Sequence, residues 1–272
     1  MKYFSKIYLV LIFGILYIPI LTLILFSFNS ANSTALFEGF SLRWYIELFN
    51  SPDTFEALRN TLILALLSSL IATVIGTAAA EGIYKMRSKL LKGAVTSVTN
   101  VPMMNPDIVT GMSMMLFFVA VAAILGVTYE DMGFFAMLIS HVTFCLPYVI
   151  LSVLPRINEL GDSLSEAALD LGCTPLQAFF KVKLPNIMPG VLSGMVMAFT
   201  LSLDDFVISY FVGSSNFQTL PLLIYSMTKK KVTPDMYALS TLIVVTIFIL
   251  LILSNLKSER KASGSKKARA KK

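Results

Sequence analysis

The chain predicts an all-α integral membrane protein: six spanning helices, with a short helical pair set on one of the connections between them. Three observations carry this. Apolar residues make up 56% of the 272 positions, and the mean hydropathy is +0.76. Charged residues supply 14%, against roughly 25% in soluble domains. The apolar residues also gather into runs close to the about 20 residues a helix needs to cross a bilayer. No stretch offers a soluble catalytic domain.

The first span is expected at about 7–28, after Lys2 and Lys6. Its apolar run exceeds the about 7–15 residues of a signal-peptide core, so it is expected to stay as a span. The following stretch is rich in Asn, Ser and acids and carries Trp44 and Tyr45, which suits a membrane interface. A second span is expected at 57–84, ending in the basic cluster Lys85, Arg87, Lys89 and Lys92. Beyond it the apolar character lasts too long for one straight span, and Pro102 and Pro106 are expected to break it. Asn105, Pro106 and Asp107 read as N-cap, N1 and N2 of a third span at 107–125. Spans at 134–154, 190–212 and 236–256 follow, with 213–235 read as a loop and 257–272 as a basic tail.

Between the fourth and fifth spans lies the most patterned polar stretch, residues 161–185. Ser163 with Glu166 three residues later reads as a capping box. Leu164, Ala167, Ala168 and Leu171 give the helix after it one narrow apolar face. Gly172 suits the position just past a helix end, where a left-handed backbone is needed. Thr174, Pro175 and Gln177 restart a helix with a cap, a Pro at N1 and a second capping residue. Leu176, Phe179, Phe180 and the stem of Lys183 form its apolar side until Pro185 interrupts it. The expected product is two short helices joined at a glycine corner: a docking knob.

With an even number of spans both termini share one side. Calling that side cytoplasmic gathers Lys2, Lys6, the 85–92 cluster, Arg156, Lys181, Lys183 and the tail there, as the positive-inside rule requires. Lys229, Lys230 and Lys231 are the discordant cluster. The net charge of +6 comes mostly from the tail, which favours anionic lipid headgroups over nucleic acid as its partner. There is no GxxxxGK[ST] and no Gly-rich turn after a strand, so the chain is not expected to hydrolyse ATP itself. Its single His and the distant Cys145 and Cys173 give no metal-ligand spacing, and no cofactor or catalytic residue is expected.

Asp107, Asp204 and Asp205 are the carboxylates expected at membrane depth. A charge there costs roughly 2.5–3.5 kcal/mol on insertion scales, which calls for a partner or a wet path. Counting residues puts Asp107 near the cytoplasmic end of its span and Asp204 past the middle of the other, two depths that suit a cation passed inward. The plainer readings are a helix N-terminal residue for Asp107 and hydrogen bonding to Ser202 or Ser209 for the aspartate pair. Tyr129, Tyr148, Tyr210 and Tyr225 could make cation–π contacts with alkylammonium groups, though packing is the commoner role. His141 reads as a hydrogen-bonded packing residue, and Glu81 as a partner of Lys85 at i+4.

The docking stretch also resembles a family. Glu166-Ala167-Ala168, Gly172, then Val182-x-Leu184-Pro185 match the EAA signature, EAA-x3-G-x9-I-x-LP, of the membrane subunits of ABC importers, with Val182 for Ile. The resemblance implies a type I ABC importer permease fold and a coupling role for Glu166, Ala167, Ala168, Gly172, Leu184 and Pro185. Further matches reach over most of the chain up to the tail: Ser27-Phe28-Asn29, Gly39-Phe40 with Trp44-Tyr45, Pro106-Asp107, Ser140-His141, Thr200-Leu201-Ser202 with Asp204-Asp205, and Leu220-Pro221. They are similar to the second permease of spermidine/putrescine ABC importers. That implies a heterodimer with a homologous permease, two cytoplasmic ATP-binding subunits, an extracytoplasmic polyamine-binding protein, and a place in the bacterial cell membrane. A permease for another solute is the alternative. An intramembrane enzyme built on paired aspartates is disfavoured because Asp204 and Asp205 are adjacent and diverge, and a secondary transporter leaves the docking knob without a purpose.

Overall fold

The computed structural model describes residues 2–31, 36–214, 217–230, 236–242, 244–246 and 248. Among them the regular structure is helical, and β pairing is confined to two isolated bridges, Asn29 with Phe40 and Ser214 with Phe217. Five helices are long and apolar enough to cross a membrane. Of the expected sixth span only residues 236–242, 244–246 and 248 are described, and the basic tail lies outside the described residues.

The chain forms two compact units, one from Met1–Glu56 and Leu223–Lys272, the other Ala57–Leu222. In the first, helix α1 (Lys2–Phe26) runs through Pro19 and ends in a knot of polar contacts. The Asn29 amide donates to the Leu36 carbonyl at 2.6 Å and its oxygen accepts from the Glu38 N–H at 3.0 Å. The Trp44 indole donates to the Asn29 carbonyl at 2.7 Å, and the hydroxyls of Ser27 and Tyr45 lie 2.7 Å apart. The short helix α2 (Arg43–Asn50), read from sequence only as an interface segment, buries Trp44 and Leu48. Its two buried anchors are spaced i, i+4, so it forms by packing and not by length.

Helix α3 (Pro52–Lys85) opens the second unit's bundle. Its buried residues, Ala57, Thr61, Leu64, Ser68, Ala72, Gly76 and Ala80 among them, recur at three- and four-residue steps and make one continuous face. Helix α4 (Lys89–Met104) is capped by Ser88 and buries no side chain. Pro102 lies within it, contrary to expectation. The chain breaks one turn later at Asn105–Pro106, and Asn105 closes α4 instead of capping the next helix. Helix α5 (Asp107–Leu125) therefore starts at Asp107 itself. Helix α6 (Gly133–Leu160) passes through Pro147 and Pro155 and runs past the expected end at 154.

Helices α7 (Ser163–Asp170) and α8 (Pro175–Ala178) make the expected pair. From α8 the chain continues without interruption through a wide-turn segment, Phe179–Lys183, into α9 (Leu184–Asp204). Pro185 thus ends nothing. The wider i→i−5 turn places the Leu184 N–H on the Phe179 carbonyl, and the Asn186 side chain donates to the Val182 carbonyl at 2.7 Å. The backbone groups disturbed by the missing proline N–H are re-satisfied locally. The expected fifth span is interrupted at Asp205 before α10 (Val207–Val212), and the expected loop 213–235 contains α11 (Leu220–Lys230).

The core sits where α3, α6 and α9 meet, lined by Ala72, Cys145, Val149, Val153, Ile157, Ile187 and Ala198. Small residues set the spacing. A Cβ on Gly190 would stand 2.9 Å from the Ser152 carbonyl, so α9 approaches α6 only with glycine there.

Candidate functional site: a coupling element and a buried polar seam

The α7–α8 corner is built as its sequence dictates, with one exception. Asp162, not Ser163, occupies the N-cap of α7, and its side chain makes no capping bond. Ser163 has already entered the helix, so the Ser163–Glu166 box does not form. The other end closes as a Schellman motif: the Gly172 N–H donates to Leu169 O at 2.9 Å and the Cys173 N–H to Ala168 O at 3.0 Å. Gly172 has φ +88°, a conformation that costs a side-chain-bearing residue dearly. Thr174 and Gln177 then form a reciprocal capping box, Gln177 N–H to Thr174 Oγ1 at 3.3 Å and Thr174 N–H to Gln177 Oε1 at 3.1 Å.

Of the signature residues, Ala168 is buried, Leu184 is half-buried, and Glu166, Ala167, Gly172 and Pro185 are exposed. Of the expected apolar faces, Ala168 and Lys183 are buried and Phe179 is half-buried; Ala178, not read on them, is buried as well. Leu171 (87% exposed) and Leu176 (72%) flank the glycine corner and point away from the bundle. The ordered corner thus carries two exposed leucines, one on each side of Gly172.

Inside the bundle a chain of polar side chains crosses from α3 to α10. The Ser68 hydroxyl donates to Ser202 Oγ at 2.9 Å, and Ser202 Oγ lies 2.7 Å from His141 Nδ1. The other ring nitrogen, Nε2, lies 3.2 Å from Ser209 Oγ and 3.5 Å from Asp205 Oδ2. Asp205 in turn accepts from the backbone N–H groups of Ile208 (3.3 Å) and Ser209 (2.9 Å). Its carboxylate therefore satisfies the first free donors of α10, and this is what the break between α9 and α10 is for locally. The packing role read for His141 is what the structure shows, with more partners than one histidine in a span suggests. Cys145 donates to Ala198 O at 3.3 Å, and both cysteines are free.

The three aspartates have different surroundings. Asp107 and Asp204 are exposed in this chain, whereas the Asp205 side chain is only 7% exposed. Helix α5 packs along α10, with Gly111 set against Val207, Ile208 and Phe211. Asp107 lies one turn before Gly111 on the same helix. Among the tyrosines, Tyr129 donates its hydroxyl to Val212 O at 2.7 Å, Tyr148 packs edge-on against Phe144, Tyr210 stacks near Phe206, and Tyr225 lies under Lys229. Among the described residues no cluster of three His, Cys, Asp or Glu side chains could hold a metal ion.

One pair escaped the sequence reading. Lys183, 3% exposed, places its ammonium 2.9 and 2.8 Å from the two oxygens of Glu81 on α3 and 4.4 Å above the Tyr84 ring. Glu81 also takes the expected contact from Lys85, at 3.1 Å. The signal was available: Lys183, Ile187, Val191, Gly194 and Ala198 fall on one stripe, and a lysine on a buried stripe needs an anion.

Residues 72–260 match the family model described as binding-protein-dependent transport system inner membrane component. The chain is 39% identical over 241 residues to the putrescine transport system permease protein PotI of Escherichia coli strain K12, covering 89% of this chain and 85% of that protein. It is 39% identical over 254 residues to the spermidine/putrescine transport system permease protein PotC of the same strain, covering 93% of each. Its fold is shared with a bacterial ABC transporter involved in the import of the acidic polysaccharide alginate (TM-score 0.76, 17% identity, 95% of each chain). It is also shared with the MetNI methionine ABC transporter in an inward-facing conformation (TM-score 0.61, 20% identity, 76% of this chain and 96% of that one).

Proposed function

The chain belongs to the family of binding-protein-dependent transport system inner membrane components, and from that premise we propose that it is a polyamine-importing permease, taking spermidine and putrescine inward by alternating access. The observation that carries the solute is the identity with two polyamine permeases across nearly the whole chain, well beyond the solute-blind coupling signature. The likeness to the alginate and methionine transporters supports the fold alone.

In this reading the chain crosses the membrane six times with both termini in the cytoplasm, and the α7–α8 corner faces a partner ATPase. ATP hydrolysis belongs to two copies of that partner. A homologous permease completes the pathway, and an extracytoplasmic binding protein delivers the solute. The outward-facing Leu171 and Leu176 beside a rigid glycine corner support the docking role. Asp107 and Asp204 line the path, where exposed carboxylates meet a di- to tetracation. Asp205, turned into the seam, holds the α9–α10 break in shape.

The test is ATP-driven uptake by the assembled complex in proteoliposomes, using labelled spermidine and putrescine against amino acids, sugars and inorganic cations as competitors. Saturable polyamine uptake resistant to those competitors is expected. Uptake of another solute class with no polyamine transport would leave an ABC permease but remove the polyamine assignment.

A further inference from the structure

The Glu81–Lys183 pair stands where the coupling element enters the bundle. Lys183 is the last residue of the wide-turn segment joining α8 to α9, seventeen positions from the start of the EAA signature and next to its Leu184-Pro185 end. Glu81 lies one turn before the end of α3, the helix whose buried face runs the length of the bundle. Both carboxylate oxygens are engaged by one ammonium at 2.9 and 2.8 Å, and both side chains are nearly shut off from solvent, 3% and 12% exposed. A second contact joins the same helix end to the same residue: the Tyr84 ring lies 4.4 Å below the Lys183 ammonium.

A lysine is a poor choice for mere filling here. The stripe it terminates is otherwise small or apolar, and burying a charge is costly unless a partner meets it. What a buried pair does better than apolar packing is to fix one register between two elements: a slide of a few ångströms along an apolar seam is cheap, whereas separating two desolvated charges is not. The wide turn contributes as well. By holding the Leu184 N–H on the Phe179 carbonyl it keeps Lys183 in phase with Ile187 and Gly190, so the ammonium is aimed at α3 and not at lipid.

We propose that Glu81 and Lys183 form a strut that locks the cytoplasmic end of α3 to the coupling element, so that the two move as one body when the partner ATPase closes. The inference rests on the coupling role given above to the α7–α8 corner. Both are positioning residues; neither touches the solute.

The experiment uses the full complex, with partner permease, ATPase and binding protein, in proteoliposomes. Variants are Glu81→Gln, Lys183→Met, the two combined, and the exchange Glu81→Lys with Lys183→Glu. The readout is solute imported per ATP hydrolysed. Either single change is expected to lower that ratio by about fivefold or more, the low end of usual coupling between sites. The combined neutral variant removes the orphaned charge, so it is expected to assemble in normal yield yet stay poorly coupled. The exchanged pair is expected to recover part of the ratio. Wild-type coupling in the combined neutral variant would overturn the strut, since the pair would then serve only to neutralise itself.

A solute-independent reading separates this proposal from the polyamine assignment. With Cys145 and Cys173 replaced by Ser, spin labels on Arg87→Cys and Asp170→Cys are expected to keep one distance through the ATP cycle when the pair is intact, and to change distance on ATP addition in the combined neutral variant. If that distance responds to ATP equally with and without the pair, the strut is refuted whatever the solute proves to be. A complex that recovers no ATPase at all would instead refute the coupling role on which the proposal stands.

Discussion

A carboxylate that meets a passing cation and one that caps a helix respond differently to the same amide. Asn keeps the shape of Asp and most of its hydrogen bonding, so Asp107→Asn and Asp204→Asn remove charge and little else. Both residues are exposed in this chain. Losing one charge-assisted contact costs about 1.5–3 kcal/mol, so polyamine uptake is expected to fall roughly ten- to a hundredfold while ATPase recovery stays normal. Asp205→Asn strikes the seam instead. It weakens the acceptor for the Ile208 and Ser209 N–H groups and for the His141 side, and is expected to lower the melting temperature of the purified complex as well as uptake. Measuring uptake and thermal stability side by side separates the two. Wild-type uptake in Asp107→Asn, Asp204→Asn and their combination would remove the charged path and leave the permease assignment standing.

At the scale of elements, local chemistry was legible in part: the Ser163–Glu166 box and the Asn105 cap are not realised, but the glycine corner and the cap after it are. Thr174, Pro175 and Gln177 specify a capping box that forms with both bonds, and Gly172 adopts the left-handed backbone that its place past α7 requires. The stopping power ascribed to Pro102 and Pro185 failed, since both lie within continuous helices, whereas the chain does break at Pro106. In a spanning helix neighbours and side chains re-satisfy the freed carbonyls, and at Pro185 a wide turn and Asn186 do so. The seam and the strut were illegible for another reason: Ser68 with Ser202 and Glu81 with Lys183 are more than a hundred positions apart, and no periodicity in one segment announces a partner in another. Gly172 offers the element-scale test. Gly172→Asp places a side chain at φ +88°, adds a charge between outward leucines, and touches nothing in the membrane. It is expected to insert and fold normally but to lose most ATPase on co-purification, with uptake falling in proportion. Normal recovery and uptake would remove the corner from the docking site.

For the whole molecule, the arrangement of charge along the spans is what the proposed orientation rests on. Helix α3 leads into the basic cluster Lys85, Arg87, Lys89 and Lys92, and it begins with the acidic residues Asp53 and Glu56. A helix of 34 residues is about 50 Å long, enough to cross the hydrocarbon core and both headgroup regions with some tilt, so its two ends must lie on opposite sides. The proposed orientation, with the Lys85–Lys92 end in the cytoplasm, follows the positive-inside bias. Cysteines placed at the exposed positions Asp53 and Arg87 test this in intact cells, where a membrane-impermeant maleimide reaches only outward-facing thiols. Native Cys145 is buried and Cys173 lies at the corner, so both are first replaced by Ser to clear the background. Labelling is expected at Asp53→Cys without permeabilisation, and at Arg87→Cys only after it. The opposite pattern would turn the bundle over, place the glycine corner outside the cell beyond the reach of any ATPase, and remove the coupling role together with the strut that depends on it.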